Sequence, residues 1–155
     1  MTVIRELLSY RLHTVANLLS RGAELRYRRE FGVSLWEWRS IALLGAATEP
    51  LSLNELARSA GVDKSQMSRV VSGLAERGLV SREADAVDGR GVRLALSKSG
   101  RKVYLGLIRA AADRDEAFRK CLSQNEKRVF DKALLKLSFQ AREFIRREKA
   151  ANEKA

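Results

Sequence analysis

Residues 52–96 constrain this chain more than any other stretch, because two helix starts and a hairpin follow one another there with almost no spacer. SLNELARSAG opens with Ser52 and Glu55, the reciprocal capping pair that satisfies two orphan amides at a helix N-terminus. DKSQMSRVVSGLAERG begins at Asp63 as N-cap, places Gln66 at the third helical position and stops at Gly78. Only a turn around Gly61-Val62 separates the two segments, which is the connection of a helix–turn–helix. LVSREADAVDGRGVRLALS then alternates apolar and polar residues around an acidic, glycine-bearing loop and predicts a β-hairpin wing. A closely spaced helix pair of this kind is a reader of duplex DNA.

Helical sequence surrounds this module. Ile4, Leu7, Leu8, Leu12, Val15, Leu19 and Leu25 recur at helical spacing over residues 3–30, with Gly22 as a weak point and Gly32 as the stop. Ser34 with Glu37 starts a helix through Trp36, Trp38, Ile41, Leu43 and Leu44, which Glu49-Pro50 ends. Ser97 caps a long helix carrying Val103, Tyr104, Leu107, Ile108, Ala111 and Phe118. Ser123 with Glu126 restarts a helix through Val129, Phe130, Ala133, Leu134, Leu137, Phe144 and Ile145, and residues 148–155 are expected to fray. The predicted fold is mainly α with a small β-hairpin wing, a single unit over residues 1–155. Within it, residues 34–97 form the winged helix–turn–helix DNA-binding module, and residues 1–32 and 98–150 are dimerisation helices. The homodimer is expected because the terminal helices carry longer apolar stripes than the small module can cover, and contiguous apolar patches mark interfaces. Two-fold symmetry also suits a pseudo-palindromic operator.

Charge and cysteine usage narrow the function. A formal net charge of +11 fits a nucleic-acid partner, although acidic membranes and acidic proteins attract the same charge. No apolar run reaches the roughly 18–20 residues of a membrane span, and the N-terminus lacks a signal-peptide core, so the expectation is cytoplasmic with no membrane partner. One cysteine and one histidine leave no disulfide framework, no cysteine-rich zinc site and no catalytic constellation. The chain is expected to need no cofactor or metal and to be no enzyme. A winged helix serving only as a protein–protein module is the alternative from another class, and an acidic or neutral reading helix would suit it. Lys64, Gln66 and Arg69 argue for DNA instead.

The reading helix presents Lys64, Ser65, Gln66, Ser68 and Arg69 to the major groove, while Met67, Val70, Val71 and Leu74 face the core. Arg pairs bidentately with guanine and Gln with adenine, so Arg69 and Gln66 are the candidates for base readout. The alternative for Arg69 is a phosphate clamp or an ion pair with Glu76 or Asp63, and the alternative for Gln66 is the capping partner of Asp63. Arg90 sits at the wing tip, where a guanidinium can enter the narrow minor groove, and Asp88 beside it orients Arg90 or braces the loop. Arg82 and Arg93 on the strands face phosphate or water. Ser52 and Asn54 can donate to the DNA backbone from the preceding helix start.

SLWEWRSIALLGA and LSLNELARSAGVDKSQMSRVVSGLAERGLVSREADAVDGRGVRLALSKSGR together resemble the MarR family of winged-helix regulators over residues 30–103. The most specific part is Asp88-Gly89-Arg90 followed by an alternating strand and the Ser97…Gly100 helix start, with serine in place of the family's usual threonine. The resemblance implies a triangular homodimer and a transcriptional regulator, most often a repressor, with Arg90 as the wing contact and Asp88 as its structural partner. It further implies a small aromatic effector bound between the dimer helices and the DNA module. Tyr10, His13, Trp36, Trp38 and Arg39 are the candidates to line that cleft, although Trp36 and Trp38 cannot face the same way on one helix. His13 reads first as a buried, hydrogen-bonded histidine and second as a ligand contact. Some family members sense oxidants through a cysteine near the N-terminus. Here Cys121 lies at the end of the long helix, where buried dimer packing is favoured over redox sensing.

Overall fold

The computed structural model describes residues 3–84 and 92–153. After a short 3-10 turn at Ile4–Glu6 come α1 (Leu8–Phe31), α2 (Leu35–Ala46), β1 (Leu51–Ser52), α3 (Leu53–Ala60) and α4 (Lys64–Glu76). Then follow β2 (Val80–Ala84), β3 (Val92–Leu96), α5 (Lys98–Arg119) and α6 (Gln124–Asn152). The capping boxes at Ser34, Ser52 and Ser123 are all formed, hydroxyl to backbone and carboxylate back to backbone. Gly32, Gly61 and Gly78 follow α1, α3 and α4 in the left-handed region, with φ of 64°, 72° and 67°. Helix α1 runs through Gly22 unbroken, and α6 continues to Asn152 instead of fraying from residue 148.

Two features depart from the sequence expectation. Helix α2 stops at Ala46, before the Glu49-Pro50 signal, with Ala47 already extended and the Gly45 carbonyl taken by Arg101 at 2.7 Å. The wing also has a third strand. Leu51–Ser52 pairs antiparallel with β3, giving the sheet order β1-β3-β2. In register, Leu94 lies between Leu51 and Arg82, and Arg93 lies between Ser52 and Glu83. Two residues are too few to show a strand pattern, so only the tertiary pairing reveals β1.

The described chain divides into two compact units, residues 1–112 and 113–155. In the first, each element contributes its apolar stripe to one core: Tyr27 from α1, Ile41 from α2, Leu56 from α3, Met67 and Leu74 from α4, Leu94 from β3 and Leu107 from α5. Each such side chain contributes about 1.5–3 kcal/mol on burial. Glu37 joins the helix starts to this core: one carboxylate oxygen closes the box at Ser34 and the other meets Arg77 of the α4 C-cap at 2.9 Å. At the head of α5, Ser97 accepts from the Gly100 amide at 2.9 Å while its own amide bonds to the Leu79 carbonyl at 3.1 Å. A Cβ at Gly100 would overlap that carbonyl oxygen, so the helix can begin there only on glycine.

In the second unit, Arg119 holds Asp131 of α6 through two hydrogen bonds at 3.0 and 3.1 Å. Helix α6 buries no residue in the single chain. No described helix is long and apolar enough to cross a membrane.

Candidate nucleic-acid interface

The start of α4 is built by its cap. The Asp63 carboxylate accepts from the Gln66 amide at 2.8 Å, which fixes the first turn in helical geometry. Gln66 does not return the bond, unlike Glu37, Glu55 and Glu126 at the three capping boxes. Its side-chain amide therefore remains free of the cap. Met67, Val71 and Leu74 are at most 1% exposed and Val70 packs beside them, so the opposite face must carry the polar residues. Lys64, Ser65 and Arg69 lie exposed on it, with Ser68 and Gln66 half-buried. Arg69 makes no ion pair with Asp63 or Glu76 among the described residues. Lys64, Ser65, Ser68 and Arg69 share a shallow groove with Leu53 at the head of α3.

Around this stripe the other candidates fall into two groups. Asn54 is exposed on the first turn of α3, whereas the Ser52 hydroxyl and amide are occupied by the capping box. Arg82 and Arg93 are both engaged with the protein. The Arg82 guanidinium donates to the Ser72 hydroxyl of α4 at 2.9 Å, and Arg93 reaches Glu55 at 3.3 Å and the Pro50 carbonyl at 3.4 Å. Hydrogen bonds from the Ser52 amide and hydroxyl, aided by Arg93, hold the Glu55 carboxyl below its ordinary value. No motif pointed to Ser72, Glu37 or Glu55 as long-range partners, because such pairs are set by packing and not by spacing. Asp88 and Arg90 lie outside the described residues.

The effector candidates separate. Trp38 packs on Tyr27 with ring centroids 5.1 Å apart, while Trp36 faces elsewhere beneath the Arg39 guanidinium at 4.7 Å. Tyr10 and His13 are exposed on α1, and His13 bonds to Asn17 at 2.8 Å, so this histidine is hydrogen-bonded without being buried in the single chain. At 1.5 Å per helical residue, His13 lies about 21 Å along α1 from Tyr27 and its Trp38 neighbour. One chain therefore does not gather the five residues. Cys121 is exposed in the single chain and donates to the Phe118 carbonyl at 3.1 Å. Among the described residues no group of three or more His, Cys, Asp or Glu could hold a metal ion.

A helix pair capped for groove insertion, a three-stranded wing and an apolar rear face define a winged helix–turn–helix DNA-binding regulator. Residues 31–91 match the family model described as the MarR family. The fold aligns with a MarR/EmrR family transcriptional regulator from Acinetobacter sp. ADP1 at TM-score 0.81 and 24% identity, covering 92% of this chain and 99% of that one. A MarR family transcriptional regulator from Silicibacter pomeroyi DSS-3 aligns at TM-score 0.76 and 26% identity, covering 91% and 98%. The Staphylococcus aureus MepR–DNA complex aligns at TM-score 0.79 and 19% identity, covering 86% and 98%. A comparison with curated proteins gives no match. Residues 31–91 therefore carry a MarR-family match, and the chain shares its fold with MarR-family transcriptional regulators.

Proposed function

We propose that the chain is a homodimeric, sequence-specific repressor that binds a pseudo-palindromic operator in the cytoplasm and is released by a small aromatic effector. The observation that carries the reading is the polar stripe at the start of α4, where Lys64, Ser65, Gln66 and Arg69 keep their side-chain donors free of the network formed among the described residues. Arg69 and Gln66 read bases, and Lys64, Ser65, Ser68 and Asn54 contact the backbone. Arg90 enters the minor groove with Asp88 as its support. The shared fold with a regulator seen on DNA supports this assignment.

Exposed apolar surface supports the dimer. Leu8, Leu12, Val15, Leu18, Leu19 and Leu25 of α1 are at least 37% exposed, as are Val129, Phe130, Leu135, Phe139, Phe144 and Ile145 of α6. Monomers rarely leave apolar surface of this extent wet. Residues 1–32 and 98–150 thus form the dimer, and residues 34–97 the DNA module. In this reading a second copy brings Tyr10 and His13 toward Trp36, Trp38 and Arg39, and the effector binds between the dimer helices and the DNA module.

Fluorescence-anisotropy titration against the duplex upstream of the chain's own gene, with excess nonspecific competitor, tests the reading. Saturable nanomolar binding that weakens in Arg69→Ala and Arg90→Ala is expected, and aromatic acids should then release the duplex. Binding that competitor abolishes here and on every duplex selected from the genome would overturn it.

A further inference from the structure

We propose that Arg82 and Arg93 are positioning residues that clamp the base of the wing onto both helices of the helix–turn–helix, and are not phosphate contacts. The inference rests on the DNA-regulator reading for its consequence and on the fold alone for the clamp.

The register shows why these two positions matter. Strand β1 supports the sheet only through Leu51 and Ser52, so the rungs Leu51–Leu94–Arg82 and Ser52–Arg93–Glu83 are the last three-stranded ones. Beyond them Ala84 pairs with Val92 alone, and a two-stranded ribbon in water is only marginally stable in shape and direction. The aim of the ribbon is therefore decided at these rungs, and each carries one arginine.

The two arginines leave the sheet on opposite faces. Arg82 lies opposite Leu94, which is 2% exposed, so its stem extends over the helices. There it borders a small apolar cavity of about 120 Å³ with Leu53, Ser68, Val71, Val92 and Leu94, and its guanidinium lands on Ser72 of α4 at 2.9 Å. Arg93, on the other face, reaches Glu55 and the Pro50 carbonyl beside the start of α3. One strand is thus tied to the reading helix and the other to the helix before it. A guanidinium offers planar, rigid donors, so each tie restricts angle as well as distance. Ser72 follows Ser65 and Ser68 on α4 at helical spacing, which makes it a rearward extension of the reading stripe. The Arg82–Ser72 bond consequently couples the orientation of the wing to that of the base-reading face.

The test uses the full-length chain, with a duplex that the wild-type protein selects from a random pool and a scrambled duplex, each titrated across a salt series. Arg82→Ala and Ser72→Ala are expected to lower affinity for the selected duplex by a similar factor, about tenfold, the scale of one charged hydrogen bond. The double variant should be no worse than either, Ser72→Thr should retain binding, and the salt slope should stay at the wild-type value. If Arg82 neutralises a phosphate instead, its removal makes the slope shallower by about 0.9, both duplexes weaken alike and Ser72→Ala is silent. That outcome overturns the clamp. Amide hydrogen exchange in the free protein decides the same point without DNA: exchange at the ladder-bonded amides of β2 and β3 should quicken in Arg82→Ala, Ser72→Ala and Arg93→Ala, and unchanged exchange overturns the clamp. A wild-type chain that selects no duplex would sink the regulator reading while the exchange data still judge the clamp.

Discussion

In the proposed interface Arg69 is the residue on which specificity turns, because it projects from the first turns of α4 with no internal partner among the described residues. Arg69→Ala should cost about 1–3 kcal/mol of binding and relax preference at one base position, as expected for loss of a bidentate guanine contact. Uniform weakening on every sequence would reassign it to phosphate. Lys64→Ala should leave preference intact and reduce the salt slope by about one. Gly100 makes a different demand. Its Cα lies so close to the Leu79 carbonyl that Gly100→Ala forces the head of α5 away from the end of the reading helix. A loss of about 1–3 kcal/mol in chemical denaturation is expected, the usual cost of overpacking. An unchanged midpoint would show that the loop before β2 absorbs the methyl freely.

At the scale of elements, two helix caps and two side-chain ion pairs titrate. Arg26 holds the Glu30 carboxyl below its ordinary range, Ser52 does so for Glu55, Ser123 for Glu126, and Arg119 for Asp131. These groups bind protons more weakly folded than unfolded, so the stability they add is present above the ordinary carboxylate values of 4.5 and 3.8. It is lost as pH falls through the folded pKa values. The melting temperature should hold from neutral pH to about pH 5 and fall below that, modestly because the groups face solvent. A rise on acidification would contradict these assignments. Ser52→Ala removes a cap at the head of α3 and should cost about 1 kcal/mol. Leu74→Ala opens the core behind the reading helix and should cost about 2–5 kcal/mol. Thermal melts of both variants check the order of the two effects.

At the scale of the molecule, the proposed dimer makes two sharp expectations. Phe139 is 63% exposed on α6, and Phe139→Asp should shift sedimentation toward the monomer while far-ultraviolet dichroism keeps its helical content. A variant that stays dimeric would move the interface off this face. If a dimer touches about 6–10 phosphates, operator affinity should fall about 10³–10⁵-fold between 50 and 200 mM salt. A shallow dependence would mean a far smaller footprint than two winged modules present.

The helices were legible in the chain because their signals are local. Ser34, Ser52, Asp63 and Ser123 each meet a partner three residues on, and a stop such as Gly61 or Gly78 needs only its own φ. The apolar face of α4 followed from periodicity for the same reason. What the sequence could not carry lies between residues distant in the chain. Strand β1 exists because Leu94 offers an open edge to Leu51, α2 ends early where Arg101 takes the Gly45 carbonyl, and Glu37 finds Arg77 across forty residues. The wing arginines show the division most plainly. Their charge and strand positions can be read from the sequence, but whether a guanidinium points to solvent or to Ser72 depends on how the sheet packs on the helices. Capping and periodicity are short-range and belong to the chain; partner choice among charged side chains belongs to the folded arrangement that brings them within hydrogen-bond reach.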